Sequence, residues 1–386
     1  SHLKNPALSK KLLQKQNLLN MIFVYGAYGF TGRKIFDILS SEFSQTSPGI
    51  TKTQFTISGR NKQKLEKLYS TLKNNFKNLT LLSAEPPDLK DMKIRDLKLV
   101  VNTAGPFSDF GHHVVEFALL NNANYIDCSG EWVWVENLIS NYSEKFQEKK
   151  LFLSSGVAWE TVSGELSTKK LVQKLQEEKK INSLSRIFLV YLAEFNMSPG
   201  TLQSSLNIIK NGSITWENGK VRKVKSGFER FSFELRGRKF LATNISTSDV
   251  FNSPLSLGEI SKKIKFDVLF ATTYEKAKLF FPAIKYLSLI LKMPFALSVL
   301  KRVADRIPEP DENKNRLASA IAFGLDSNQT EIGRYEIHAK KPYHITSKIL
   351  AHAICEFLTD KYSKEKFGYQ PPTSLFKFNE NQIFSE

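Results

Sequence analysis

MIFVYGAYGFTGR, residues 21–33, is a short apolar run that turns through Gly26, Gly29 and Gly32 into an amphipathic segment. Met21 to Tyr25 suit a buried parallel strand. Lys34, Ile35, Ile38 and Leu39 supply the helical period that follows. Strand, tight glycine turn and helix together form the context of a dinucleotide-phosphate cradle. Gly26 permits the sharp turn, Gly29 lets backbone approach a pyrophosphate, and Gly32 lets the helix pack on the strand, whose neighbouring helix start offers N–H groups and positive dipole. Tyr28, Phe30 and Thr31 complete the loop and the first helical turn. The competing reading is a structural turn in an α/β domain that binds no nucleotide.

From this cradle to about Ser155 the pattern alternates strand and helix, the signature of βαβ units and a parallel sheet covered on both faces. Strands are expected at 21–25, 53–58, 79–83, 98–102, 124–128 and 150–154. Helices are expected at about 30–43, 61–75, 111–122 and 135–149, with an enlarged polar loop, SQTSPGITK, before the second strand. After Gly156 the pattern changes to one helix and then hairpins. ITWENGKVRKV turns at Asn218 and Gly219, and FSFELRGRKFLAT turns around Gly237. Further strands are expected at 264–271, 317–325 and 331–339, before a helix at about 344–358; IPEPDENKNR, 307–316, reads as a polar linker. The fold class is therefore α/β, a doubly wound Rossmann parallel sheet with a second α+β domain containing a mainly antiparallel sheet. The expected division is 21–157 for the nucleotide-binding domain, 158–340 for the substrate domain, and 341–386 for a C-terminal helix and tail packing back toward the first domain.

The 386 residues suffice for two cores, and 41% hydrophobic residues excludes global disorder. Lys and Arg number 55 against 38 Asp and Glu, a net charge of +17 that favours anionic partners such as cofactor phosphates or acidic lipid headgroups. No zinc-ligand spacing, RNA-binding aromatic motif or long basic block accompanies the charge, so no nucleic-acid partner and no metal site is expected. Two cysteines, Cys128 and Cys355, make no disulfide framework and suit a reducing, cytoplasmic setting. Ser1 and His2 resemble a cloning remnant. The basic segment up to Asn20 has no apolar core of the secretory type and reads as a surface helix. The most apolar stretch, 279–300, is interrupted by Pro282, Lys285, Lys292 and Pro294. A spanning helix needs about 20 predominantly apolar residues, so this stretch reads as a buried or interfacial amphipathic hairpin, with weak contact to an anionic membrane as the interfacial form.

The second strand ends in FTISGRNKQKL, which places Ser58, Arg60 and Asn61 where a bound dinucleotide presents its adenosine ribose. A carboxylate there would accept from the NAD 2′-hydroxyl. None is present, and Arg60 can pair with a 2′-phosphate instead, which points to NADP(H). The alternative is an Arg solvated in a lysine-rich loop. The fourth strand ends in VVNTAGPF, setting Asn102, Thr103, Ala104, Gly105 and Pro106 at the carboxyl edge of the sheet, where small residues admit a cofactor. The fifth ends in YIDCSGEW, bringing Ser129, Gly130 and Glu131 to that edge, with Asp127 assigned to loop capping. For the proton that accompanies hydride transfer the candidates are Glu160, Tyr191 and Tyr343, with Glu131 behind them. Two YxxxK matches, Tyr69 with Lys73 and Tyr274 with Lys278, are expected by chance in so basic a chain. His112 and His113 read as surface histidines near a helix start, and Cys128 as a small buried residue.

The succession GAYGFTGR, SGRNKQKL, VVNTAGPFSDFG, YIDCSGE and GVAWETVSGEL resembles the saccharopine dehydrogenase-like oxidoreductase family, including its trans-acting enoyl reductase branch. The fifth block of that family usually reads GFDxxPxD. Gly156, Trp159, Glu160, Ser163 and Glu165 take those positions here, with both acidic positions kept as Glu and the proline lost. MSPGTLQSSL (197–206) and KKPYHITSKILAHAI (340–354) are similar to later family blocks. The resemblance implies NADP-dependent hydride transfer in a cleft between the Rossmann domain and the α+β domain. The substrate it allows is a small molecule or, as in the enoyl reductase branch, a lipid-like one. The expected function is thus NADPH-dependent reduction of a polarised double bond, in a cytoplasmic or membrane-associated protein for which a homodimer is one arrangement. The alternative is a non-catalytic NADP-binding or membrane-peripheral regulatory protein, suggested by the altered 156–166 block.

Overall fold

The structure, a computed structural model, describes residues 21–43, 50, 53–193, 198–304, 306–308 and 318–384. The expected N-terminal surface helix, most of the loop before the second strand, Met197 and most of the 307–316 linker lie outside the described residues.

The chain opens with β1 (Met21–Tyr25), α1 (Phe30–Ser41), β2 (Gln54–Gly59), α2 (Lys62–Leu72), β3 (Leu79–Ser83) and β4 (Leu97–Asn102). There follow α3 (Phe107–Leu120), β5 (Asn124–Asp127), α4 (Trp132–Asn141), α5 (Ser143–Glu148) and β6 (Phe152–Ser154). Next come α6 (Trp159–Glu177), β7 (Arg186–Ala193), α7 (Pro199–Asn211), β8 (Ser213–Glu217), β9 (Lys220–Val224), β10 (Arg230–Leu235) and β11 (Arg238–Asn244). The order continues with α8 (Asp249–Leu257), β12 (Lys265–Thr273), α9 (Tyr274–Ile290), α10 (Pro294–Ala304), β13 (Ala318–Leu325) and β14 (Glu331–Ala339). It closes with α11 (Pro342–Leu358), β15 (Gly368–Tyr369), α12 (Pro372–Leu375) and α13 (Glu380–Phe384). Two compact units result, and they interleave along the sequence. The first takes Ser1–Cys128, Leu138–Ser154 and Ser347–Tyr369; the second takes Ser129–Asn137, Ser155–Thr346 and Gln370–Glu386.

The first unit is a seven-stranded parallel sheet in the order β15-β6-β5-β4-β1-β2-β3. The chain builds outward from β1 to β3, returns beside β1 as β4, and builds outward the other way, which is the doubly wound arrangement with its switch point between β1 and β4. Every residue of β1 and β2 is buried; β1 is a continuous apolar run, while β2 buries Thr56 and Ser58, whose hydroxyls bond within the sheet to Thr80 and to the Leu82 carbonyl. Phe36 of α1 meets Phe55 of β2 and Phe76 edge-on at ring separations of 5.5–5.6 Å, fixing helix against sheet. The seventh strand, β15, has only two residues and carries no periodic signal. The single helix expected at 135–149 is two helices, α4 and α5, and starts at Trp132.

The second unit holds an eight-stranded sheet, β10-β11-β12-β7-β13-β14, with β8 beside β12 and β9 beside β8. All its pairings are antiparallel except β12 with β7. Both expected hairpins form, because Asn218 with Gly219 and Arg236 with Gly237 adopt the positive φ that tight two-residue turns demand. Phe188, Phe233, Phe240 and Phe323 gather in one core, against which the partly buried Phe231 packs. On the other side, Leu171 and Leu175 of α6 press onto Gly324 of β13 and Gly333 of β14, where a side chain would stand in their way. The apolar stretch 279–300 lies on two consecutive helices, α9 and α10, each of which packs on α7. No helix among the described residues is long and apolar enough to cross a membrane.

Candidate functional site

In the first unit, β1 delivers its chain to a turn that has no room for side chains at two of its glycines. Gly26 sits at φ +78°, and a Cβ there would meet the Ala104 nitrogen at 2.8 Å; one on Gly32 would meet the Gly26 carbonyl at 2.5 Å. Gly26 and Ala27 donate to the Ser58 carbonyl at 2.9 and 3.1 Å, binding the turn to β2. Helix α1 then starts at Phe30 with no side-chain cap and no acidic residue in its first turn. A helix start of that composition is electrostatically favourable to an anion.

Tyr28 leans back across the end of β2. Its ring lies against Gly59, its hydroxyl accepts from the Asn61 N–H at 3.3 Å, and Lys64 stands 5.8 Å from its centroid. Asn61 caps α2 by accepting from the Lys64 N–H at 2.9 Å. Arg60 is exposed, and no carboxylate pairs with it among the described residues. Ser58 is buried, and its hydroxyl donates to the Leu82 carbonyl at 2.8 Å, so this side chain belongs to the sheet. Asn102 is likewise buried: its carbonyl oxygen accepts from the Ala104 N–H and its amide donates to Tyr125. Tyr125 in turn donates to Asp127 at 2.9 Å. Asp127, expected to cap a loop, instead anchors a strand-end network, while burial and its charge push the Cys128 thiol up to about 12. Thr103 donates from both N–H and hydroxyl to the Tyr25 carbonyl, which holds the Thr103–Pro106 loop beside the glycine turn. The first unit thus brings together Gly26, Tyr28–Gly32, Arg60, Asn61 and Thr103–Pro106 on the carboxyl ends of β1, β2 and β4.

Ser129 and Gly130 belong to the second unit with Glu160, Tyr191 and Tyr343. Ser129 accepts from the Glu131 N–H at 3.1 Å, and the Gly130 carbonyl accepts from the Ser248 N–H at 2.9 Å. Glu131 is buried and accepts from Ser204 at 2.8 Å and Asn207 at 3.3 Å, tying it to α7. Tyr343 accepts from the Ser198 N–H at 2.7 Å and donates to Thr201 at 3.1 Å, a brace on the start of α7.

Glu160 and Tyr191 are parts of a larger acidic cluster. The buried Tyr191 hydroxyl donates to the Glu160 carbonyl at 2.7 Å and hydrogen-bonds the Asp249 carboxylate. Asp249 is fully buried and also accepts from Thr247 at 2.9 Å. One turn on from Glu160, the buried Glu165 accepts from the Thr373 hydroxyl and backbone, while Lys169 reaches Thr373 at 2.6 Å. The half-buried Glu160 carboxylate has no hydrogen-bond partner among the described residues and faces Gly130, whose Cβ position lies 3.5 Å from its Oε2. Burial first, and the Asp249 charge second, raise Glu160 to about 8. Burial raises Glu165 to about 8 against the opposing pull of Lys169, and Asp249 to about 6. The two glutamates therefore hold a proton near neutral pH, while Asp249 is mostly ionised there. The YxxxK matches make no such cluster. Tyr69 lies on α2, and Lys278 stacks on its own Tyr274 ring at 4.6 Å.

No family model matches the chain. Among curated proteins, a lipid droplet localized protein of Caenorhabditis elegans is 26% identical over 209 residues, 52% of this chain and 47% of that protein. The human saccharopine dehydrogenase-like oxidoreductase is 26% identical over 155 residues, 38% of this chain and 35% of its own length. A Mycobacterium tuberculosis protein named as a trans-acting enoyl reductase is 24% identical over 195 residues, covering 50% and 45%. Of solved structures, the apo saccharopine dehydrogenase (L-Glu forming) of Saccharomyces cerevisiae matches in fold with a TM-score of 0.54 at 11% identity, over 92% of this chain and 94% of that one.

The chain is related to the saccharopine dehydrogenase-like oxidoreductases. It matches less than half the length of the curated relatives named above. The residue that motif reading missed is Asp249. It follows a run of hydroxyl residues, NISTSDV, with no fingerprint of its own. A usable signal was Gly164, a glycine inside a helix between Glu160 and Glu165, where a Cβ would strike the Tyr191 hydroxyl and come within 2.6 Å of Asp249.

Proposed function

We propose that the protein is an NADPH-dependent oxidoreductase of the saccharopine dehydrogenase-like type, reducing a polarised double bond of a lipid-like substrate. The observation that carries the cofactor half is the β2 turn. It presents an exposed, unpaired Arg60 beside the Tyr28 ring and no carboxylate, next to a helix start free of acidic residues. An NAD site of this fold needs an acidic residue there for the ribose hydroxyl, whereas a guanidinium favours the 2′-phosphate. The glycine turn and the α1 N-terminus would hold the pyrophosphate, Arg60 and Asn61 the adenosine phosphate, and Thr103–Pro106 the nicotinamide side of the cofactor. Bound there, the cofactor supplies a hydride.

The protein supplies the accompanying proton, and Glu160 is the group we assign to it. Its carboxyl is protonated near neutral pH and unengaged among the described residues, while Tyr191 and Tyr343 have their hydroxyls committed to neighbouring groups. Names among the relatives support the substrate class. One is named for lipid droplets and another for enoyl reduction, and both suit a hydrophobic substrate met at a lipid surface.

Fluorescence titration of NADPH and NADH against wild type and Arg60→Ala tests the assignment. Removing a charge-assisted contact of about 1.5–3 kcal/mol should weaken NADPH about 10- to 150-fold and leave NADH unchanged. Equal affinities in both proteins would overturn it. NADPH binding with no turnover of hydrophobic enoyl or carbonyl compounds would favour the non-catalytic NADP-binding reading instead.

A further inference from the structure

The consecutive helices α9 and α10 of the second unit, both packed on α7, expose apolar side chains to water. Its inner side buries Ala277, Phe281, Leu291, Ala296 and Ala304. Its outer side exposes Tyr286 (62%), Leu289 (57%) and Ile290 on α9, and Phe295 (68%), Val299 and Val303 on α10. Positions 286 and 290, and 295, 299 and 303, recur every four residues, so each helix carries exposed apolar side chains on one face in addition to its buried ones. A patch of that kind marks an interaction surface. Its charge says which kind: residues 274–304 contain Lys276, Lys278, Lys285, Lys292, Lys301 and Arg302 against a single acid, Glu275.

We propose that α9 and α10 form an in-plane anchor that docks the second unit onto an anionic phospholipid surface. The helices have 17 and 11 residues, short of the roughly 20 apolar residues of a spanning segment, and each interrupts its apolar residues with polar positions. They match the alternative, a helix lying at the headgroup boundary with aromatic and aliphatic side chains dipping about 5–10 Å among acyl chains and Lys and Arg at the phosphates. A second copy fits poorly, because it would set two cationic surfaces against each other. This inference rests on the lipid-surface part of the proposed function and not on the cofactor.

Co-sedimentation of the full chain with vesicles of phosphatidylcholine, with and without phosphatidylserine, tests it. Wild type should pellet with the anionic vesicles and less so in high salt. The double variant Leu289→Asp/Phe295→Asp should lower partitioning at least about tenfold with NADPH titration unchanged, since both side chains are exposed and their loss leaves the core intact. Lys292→Glu/Arg302→Glu should abolish the preference for phosphatidylserine. In Tyr286→Trp, tryptophan emission should shift to the blue on vesicle addition. Wild type that stays in the supernatant with both vesicle types overturns the proposal, as does a double Asp variant that pellets like wild type. So does a wild-type dimer that the double Asp variant converts to monomer with no vesicle binding in either protein. Loss of NADPH binding beside intact vesicle binding would sink the cofactor assignment and leave the anchor standing.

Discussion

Glu160 shows how far a single residue's chemistry depends on its surroundings. A glutamate in water is ionised at neutral pH, yet burial and the neighbouring Asp249 raise this one to about 8. As a proton donor it acts in its protonated form, so turnover should fall as pH rises through about 8. Glu160→Gln should lower kcat about 100-fold, in the range of one general acid, and remove that alkaline limb, with the NADPH dissociation constant unchanged. Steady-state rates across pH check this; an alkaline limb that survives in the variant would dismiss Glu160 as the donor. At the same scale, the role proposed for Arg60 can be read from the sequence, because it rests on the absence of a carboxylate in one short turn. That of Ser58 cannot, because only the sheet reveals that its hydroxyl is taken by Leu82.

At the scale of elements, α6 carries two of the cluster's three acids, Glu160 and Glu165, and meets Tyr191 and Leu189 of β7 through its Gly164. Helix propensity alone favours alanine over Gly164 by about 1 kcal/mol. Sterics oppose it, since an alanine Cβ would strike the Tyr191 hydroxyl and crowd Asp249 and Leu189. Overpacking a closed site costs about 1–3 kcal/mol, so Gly164→Ala should destabilise the second unit by up to about 2 kcal/mol net, read as a lower urea midpoint. A raised midpoint would show that Tyr191 moves aside freely. The strands and helices flanking Gly26 were legible because period and turn chemistry agree there. The two-residue β15 and the break between α4 and α5 were not, since neither changes a hydrophobic period.

For the whole molecule the buried carboxyls couple stability to pH. Glu160 and Glu165 are raised to about 8 and Asp249 to about 6, above their ordinary values of 4.5 and 3.8. The native state therefore binds more protons than the unfolded one between those limits. Their contribution is complete below about pH 4, declines as pH rises, and is lost above about pH 8. Urea midpoints of wild type relative to a Glu160→Gln/Glu165→Gln variant should fall from pH 5 to pH 8, at up to about 1.4 kcal/mol per pH unit for each proton concerned. Parallel midpoints for the two proteins would contradict the raised values.

The sequence by itself determined the parallel sheet, the glycine cradle, the missing acid at the ribose turn and the resemblance carried by five ordered blocks. Each of these depends on residues within one strand, turn and helix, where local conformation and period decide the outcome. Tertiary structure alone decided the acidic cluster and the exposed apolar side chains of α9 and α10. Asp249 reaches Tyr191 and the neighbourhood of Glu160 only after some 90 residues of sheet have closed, and an apolar residue becomes a surface feature only when the rest of the chain leaves it uncovered.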